Sequence, residues 1–494
     1  MLNYDELTAT ERTLWDSFPQ GRWVDLRTGT PEDDDPAAGA DWGPERTVRA
    51  GVVVALLLGG NTEQSSSVAS LRLAGAHITG HLDLAGAEVS HLLWLRECRL
   101  AHTVSLGGAS TRTVRITDSW VPGVEAELAR IEGHLDLDGS LMETGRLSLM
   151  NAHVSGELDM DGTRILAPGG WAVWAGGLAT GGGIYCRDGF TAWGGMRLPG
   201  AQLSGGLFMR GARLENPGGA ALMADNLTAP VVDMSNGFSA RGSLRLRGAH
   251  IPDLLTLEEA HLGDSDTALL GVGMQVGTFD FTLAAPPTGG VDLQGARVAT
   301  LRDGERSWPH EVRTDGLVYG SLQSDSTSPQ EDVAHRLAWI RRNPGYAPQP
   351  YEQLATCYRQ AGRDDAARRV LLEKQRHRRR TLTPVGRLWG YLLDVTVGYG
   401  YRSWLAALWM AALCLLGTLV FSVRSPIQTK SGEGDPFNPM VYTVDLLFPI
   451  GDLGQRSAWH WVGATQWLSY LLIAIGWLLT TAVVAGVSRT LNRN

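Results

Sequence analysis

The chain has 494 residues, with 43 basic and 52 acidic side chains and a formal net charge of -9. That length leaves room for several domains, and the acidic balance argues against a nucleic-acid partner. Its four cysteines, Cys98, Cys186, Cys357 and Cys414, form no C-x-x-C pair, so neither a disulfide framework nor a metal site is expected.

Met1 to Arg12 is polar and charged and lacks the apolar core of a signal peptide, so the N-terminal part is expected to stay in the cytoplasm unless something else exports it. A helix is expected from Thr8 to Phe18, followed by an acidic loop from Thr30 to Ala40. Pro44 to Leu58 reads as a second helix, ended by Gly59 and Gly60. Residues 1–60 then form a helical cap over whatever strand edge comes next.

What comes next is a repeat. Leu73, Leu84, Leu95 and Leu106 are eleven residues apart, and so are Ala76, Ala87, Cys98 and Ala109, and Ile78, Val89, Leu100 and Thr111. The unit L-x-L-x-x-small-x-aliphatic returns at Leu149/Met160, Leu198/Met209 and Leu246/Leu257, and a last copy begins at Leu293. Apolar and polar residues alternate inside it, as in a strand with one buried face, and a Gly usually precedes the small residue, where the chain must bend. The fold class this predicts is mainly β: a parallel β-helix over residues 61–302, with about two units per coil and coils roughly 4.8 Å apart. Longer inserts, Leu166 to Gly183, Glu215 to Pro230 and Gly263 to Thr278, should leave the stack as loops.

Residues 303–329 have mixed polarity and read as a linker. Residues 330–380 read as helical: Gln330 to Arg342 carries Val333, Leu337 and Ile340 on one face, and Tyr351, Leu354, Ala355, Tyr358, Gly362, Ala366 and Val370 resemble one tetratricopeptide hairpin. The hairpin has a basic end at Lys374, Arg376, Arg378, Arg379 and Arg380. Residues 381–494 read as an interfacial helix, with Val385, Leu388, Trp389, Leu392 and Val395 on one face, and a transmembrane hairpin of two uncharged spans, 404–423 and 467–487. Basic residues flank the outer ends of the pair, so a cell-membrane location with both termini cytoplasmic is expected.

Few motifs carry chemistry. His77, His153, His250 and His261 each follow a small residue and should face solvent. Asp83, Asp136 and Asp159 take outward positions and are expected on separate coils, because stacked carboxylates repel. Gly271, Gly273 and Gly277 miss the dinucleotide spacing, so no cofactor and no catalytic residue is assigned. Between the spans, Met440 to Ile450 is an apolar run ended by a turn. Span, short helix, glycine turn and span is the order of a two-span cation-channel pore domain, which makes Ile450, Gly451, Asp452 and Gly454 a candidate pore loop. The turn lacks the Thr and Tyr of a potassium filter.

The repeat cadence, the segment Arg46 to Leu58, Tyr442-Thr443-Val444-Asp445-Leu446-Leu447 and Gly476-Trp477-Leu478-Leu479-Thr480-Thr481 together resemble a family of actinobacterial membrane proteins labelled "membrane-associated oxidoreductase". The repeat is also loosely similar to pentapeptide-repeat proteins. The family label implies redox activity but brings no cofactor motif onto these residues. The residues themselves predict a membrane-anchored scaffold that meets the lipid bilayer and a protein partner on its β-helix faces. A homo-oligomeric channel is the runner-up, and the redox enzyme comes third.

Overall fold

Each L-x-L segment alternates inward and outward side chains, and each turn after it starts a new short strand. The computed structural model describes residues 3–491 except 62, 64–65, 168, 264, 305, 325–328, 401–403, 424, 430–435, 449–450 and 452. They form two compact units, residues 1–353 and 354–494.

The first unit is a parallel β-solenoid. One of its sheets has thirteen strands, from Trp23–Asp25 to Val318–Ser324. Register partners give the coil length: Leu71 pairs with Leu93, twenty-two residues on, and Leu158 with Ile184, twenty-six on. A coil therefore holds two units and offers four strand positions. The predicted core columns are buried at Leu73, Leu84, Leu95, Ala76, Ile78 and Val89. Ala87 is only half-buried. The small column does more than leave room. Cys98 N donates to Ser119 Oγ and Ser119 N to Ser140 Oγ, while the Ser140 and Thr163 hydroxyls donate to the carbonyls of Ile116 and Leu137. Corner backbone that strand pairing leaves open is thereby satisfied from within.

The residue before each small position bends the chain with a left-handed backbone. Gly86 has φ 66° there, but Glu97, Asp118, Leu128 and Asn151 adopt the same geometry at φ 47 to 59°. Outward aspartates steady these bends: Asp83, Asp136 and Asp159 each accept a hydrogen bond from the backbone N–H two residues on, at 3.0 to 3.2 Å.

Both ends are closed by the chain itself. Helix α1 (Ala9–Ser17) begins with a capping box made by Thr8 and Glu11. The predicted helix from Pro44 to Leu58 is instead a short turn, a strand and a helix. Thr47–Arg49 pairs with His77, Ile78 and Thr79, and only Ala50–Leu57 forms α2. Edge pairing decides this, because the first coil offers unpaired N–H groups beside an alternating Thr-Val-Arg segment. The segment read as a linker is also structured: Val312–Arg313 and Val318–Ser324 pair with the previous coil, so the solenoid runs one coil past 302. Helix α3 (Pro329–Ile340) brings Arg336 to Asp303, which stands in the inward column beside Phe281 and accepts from Arg336 Nη1 at 2.6 Å. Both side chains are fully buried. Asn343 and Gln349 then take edge groups of the last coil, accepting from the N–H of Thr314 and of Gly316.

The second unit is helical. Helix α4 (Gln349–Gln360) leads into it and turns at Gly362 into α5 (Asp364–Arg380). After α6 (Pro384–Val397) come α7 (Trp404–Ser422), the short α8 (Pro439–Leu447), a single turn α9 (Gln455–Ala458) and α10 (Ala464–Leu491). Two stretches, Trp404–Ser422 and Ala464–Thr481, are long and apolar enough to cross a membrane.

Candidate functional site

The predicted inserts are largely coil: Val173–Trp174, Ala179–Thr180, Leu222–Met223 and Leu269–Leu270 lie inside them and pair in register, so only short loops leave the stack. Loops around Gly170, Asn216 to Gly219, Ser265 and Gly289 rise from successive coils at one corner and wall an open groove of about 1140 Å³. Its floor is a row of outward strand residues, Met223, Arg245 and Leu270, aligned in register. The Asn216 loop is a bulge, since pairing slips between Glu215 and Ala220. Gly242 in the next coil fits beneath it at φ 127°, where a Cβ would lie 2.6 Å from the Asn216 carbonyl. Asp225 holds Arg245 at 2.6 Å and Arg247 at 2.9 Å. Burial would raise this carboxyl, but the two guanidiniums prevail and lower it. Trp171, Asn216, Ser243, Thr267 and Thr288 also line it. Hydroxyls, an amide, backbone groups and one indole suit an elongated polar ligand held by hydrogen bonds. Among the described residues, Asp266 is the carboxylate on the lining.

The acidic positions correct one expectation. Asp136 and Asp159 do lie on separate coils, but these are neighbours in direct register, so the two carboxylates stack and are not dispersed. Their turn-forming hydrogen bonds and an ion pair from Arg115 to Asp136 at 3.6 Å offset the repulsion. Burial, and then Asp159, Asp136, Asp118 and Asp161, push the Asp138 carboxyl up to about 6. Such an acid loses its proton in mildly acidic solution and destabilises the fold as pH rises from its ordinary value through that range. The recurring histidines share no site. His77 and His261 occupy one side of the coil and His153 and His250 another, with His77 half-buried and the others exposed. Gly277 is a packing residue, because a Cβ there would meet the Pro252 carbonyl. No cluster of three His, Cys, Asp or Glu suited to a metal ion occurs among the described residues.

In the second unit, α8 is the unusual element. At about 13 Å it is far too short to cross a bilayer core of about 30 Å, yet it packs against both long helices. Asn438 caps it, accepting from the N–H of Met440 and Val441. Tyr442, Leu446 and Leu447 join Phe421 of α7, Leu472 of α10 and Trp461 in one core. Two glycines allow this approach: a Cβ on Gly417 would lie 2.4 Å from Thr443 Cγ2, and one on Gly476 would lie 2.4 Å from the Leu447 carbonyl. Asp445 is fully buried. It accepts from Leu453 N at 3.0 Å and Arg456 N at 2.7 Å, so a helix carboxylate fastens the chain that returns from α8. Of the candidate pore loop, Ile450 and Asp452 lie outside the described residues. Gly451 has open space around its Cα, and Gly454 starts α9 with φ 80°. Sequence reading passed over Asp445; its signal was a lone carboxylate inside the apolar run from Met440 to Ile450.

No protein-family model, curated protein or solved structure matches the chain.

Proposed function

We propose that the chain is a membrane-anchored scaffold in which the solenoid presents a binding groove and α7 and α10 hold the protein in a bilayer. The groove carries this reading, because loops from separate coils converge on one corner above a row of aligned side chains. Basic residues from Lys374 to Arg380 precede the first span, and Arg489 and Arg493 follow the second, whereas the segment between has only Arg424, Lys430 and Arg456. Both termini are then cytoplasmic, and the solenoid faces a cytoplasmic protein partner.

One observation favours a second reading, a channel-like homo-oligomer with a re-entrant loop at 440–454. An anchor has no need of a short helix sealed between its spans with a buried carboxylate tethering the next loop. In such an oligomer Gly451 and Asp452 of each copy would surround a shared axis, since one hairpin cannot enclose water. Proteoliposomes separate the two readings. The scaffold gives no cation flux and a detergent-corrected mass of one chain. A symmetric oligomer whose flux falls in Asp452→Asn would replace it with the channel.

The redox reading implied by the family resemblance finds no ready thiolate in the solenoid. Burial pushes the Cys98 thiol up to about 12 and the Cys186 thiol well above its usual range.

A further inference from the structure

Helix α5 ends on cations, and α6 begins after three intervening residues. Between residues 374 and 400 the chain carries six Lys or Arg side chains against one carboxylate, Asp394. That carboxylate is already engaged: Arg376 reaches both of its oxygens and Arg379 one, each at 3.1 Å. Arg379 lies along α6 because Gly390 leaves it room, and its guanidinium sits 3.9 Å over the Tyr391 ring. Arg387 turns back and donates to the carbonyls of Leu382 and Arg380 at the end of α5. These contacts fix α5 and α6 as one corner. Arg378, Arg380 and Arg387 remain exposed on it.

Beside those cations α6 exposes an apolar stripe: Val385 is 80% exposed, Leu388 65%, Tyr391 57% and Val395 56%. Spacings of three and four residues put all four on one helix face. The side chains of Trp389 and Leu392 lie outside the described residues. Trp409 on α7 donates its Nε1–H to the Val395 carbonyl at 3.0 Å, which ties the stripe to the start of the first candidate span. An apolar stripe continuous with a span, bordered by guanidiniums, has the composition of a surface that meets acyl chains and phosphates together. A second copy of this chain across a two-fold axis would bring the same cations against their own kind.

We propose that the α5–α6 corner is a docking surface for anionic phospholipid, with Val385, Leu388 and Val395 among the upper acyl carbons and Arg378, Arg380 and Arg387 on headgroup phosphates. The proposal rests on the membrane reading above and adds lipid selectivity to it. It is tested with the full chain reconstituted into vesicles of phosphatidylcholine containing a minor fraction of phosphatidylglycerol. Insertion is scored by flotation after alkaline washing. The lipid that stays with the protein on extraction in mild detergent is then quantified. The parent should float with the vesicles and retain phosphatidylglycerol well above its share of the bilayer. Arg378→Gln/Arg380→Gln should still float and melt as the parent does, but lose the enrichment on the order of twenty-fold, about five-fold per cation. An inserted parent that retains the two lipids in proportion overturns this inference alone. So does a double variant with undiminished enrichment, or a dimer that retains no lipid. A parent that fails to float overturns the membrane reading and this inference with it.

Discussion

Arg336→Met is expected to destabilise the C-terminal end of the solenoid by about 3–5 kcal/mol, because it leaves the Asp303 carboxylate buried without its cation. Asp303 holds an inward position, where earlier coils carry Leu257 or Phe281, and its remaining partner is the Trp308 indole N–H at 2.5 Å. Solenoids open from weakened ends, since each coil contacts only its neighbours. Limited proteolysis of the detergent-solubilised chain should therefore cut between Asp303 and Gln349 early in this variant, while coils near Leu158 stay protected. The double variant Asp303→Asn/Arg336→Met should recover most of the loss, since the fully buried charge is then gone and Asp332, the other carboxylate beside Arg336, is partly exposed. A single variant as resistant as the parent would mean that the pair does not close the core.

The second large effect is at the other end. Leu84→Asp should cost several kcal/mol, on the order of 4, by placing an unpaired charge in a filled column. Leu84 is 2% exposed, but Asp83 beside it faces solvent and accepts from the Ala85 N–H at 3.0 Å. Asp83→Ala should accordingly cost about 1 kcal/mol or less. Adjacent residues with such different expected losses make a sharp test of register, because a slip of one position exchanges their environments. Thermal melts of the two variants that fall together would contradict the coil described here.

The solenoid was legible because its period is written in large apolar side chains. Leu73, Leu84 and Leu95 announce both the strand alternation and the eleven-residue unit without tertiary information. Its closures were not. Thr47–Arg49 has the local pattern of a helix start and becomes a strand only because a neighbouring edge needs a partner. The last coil was hidden for a related reason: Asp303 breaks the apolar column, and its meaning depends on Arg336, thirty-three residues away. The groove was half legible. Gaps in the repeat marked where coils lengthen, but the convergence of the short loops on one corner depends on the phase of each coil, which varies between twenty and twenty-seven residues. In the second unit the two spans were plain from composition. The burial of α8 was not, because Thr443 and Asp445 look like surface residues until Gly417 and Gly476 let the helix in.

The central claim is that α7 and α10 cross the bilayer and leave both ends of the chain on one side. Single cysteines at Ser431 and Asn494, in a background lacking the four native cysteines, measure this most directly. On intact cells a membrane-impermeant maleimide should label Ser431→Cys and leave Asn494→Cys unreacted until the membrane is opened. Equal labelling of the two positions on intact cells, or of neither before and both after opening, would contradict the account.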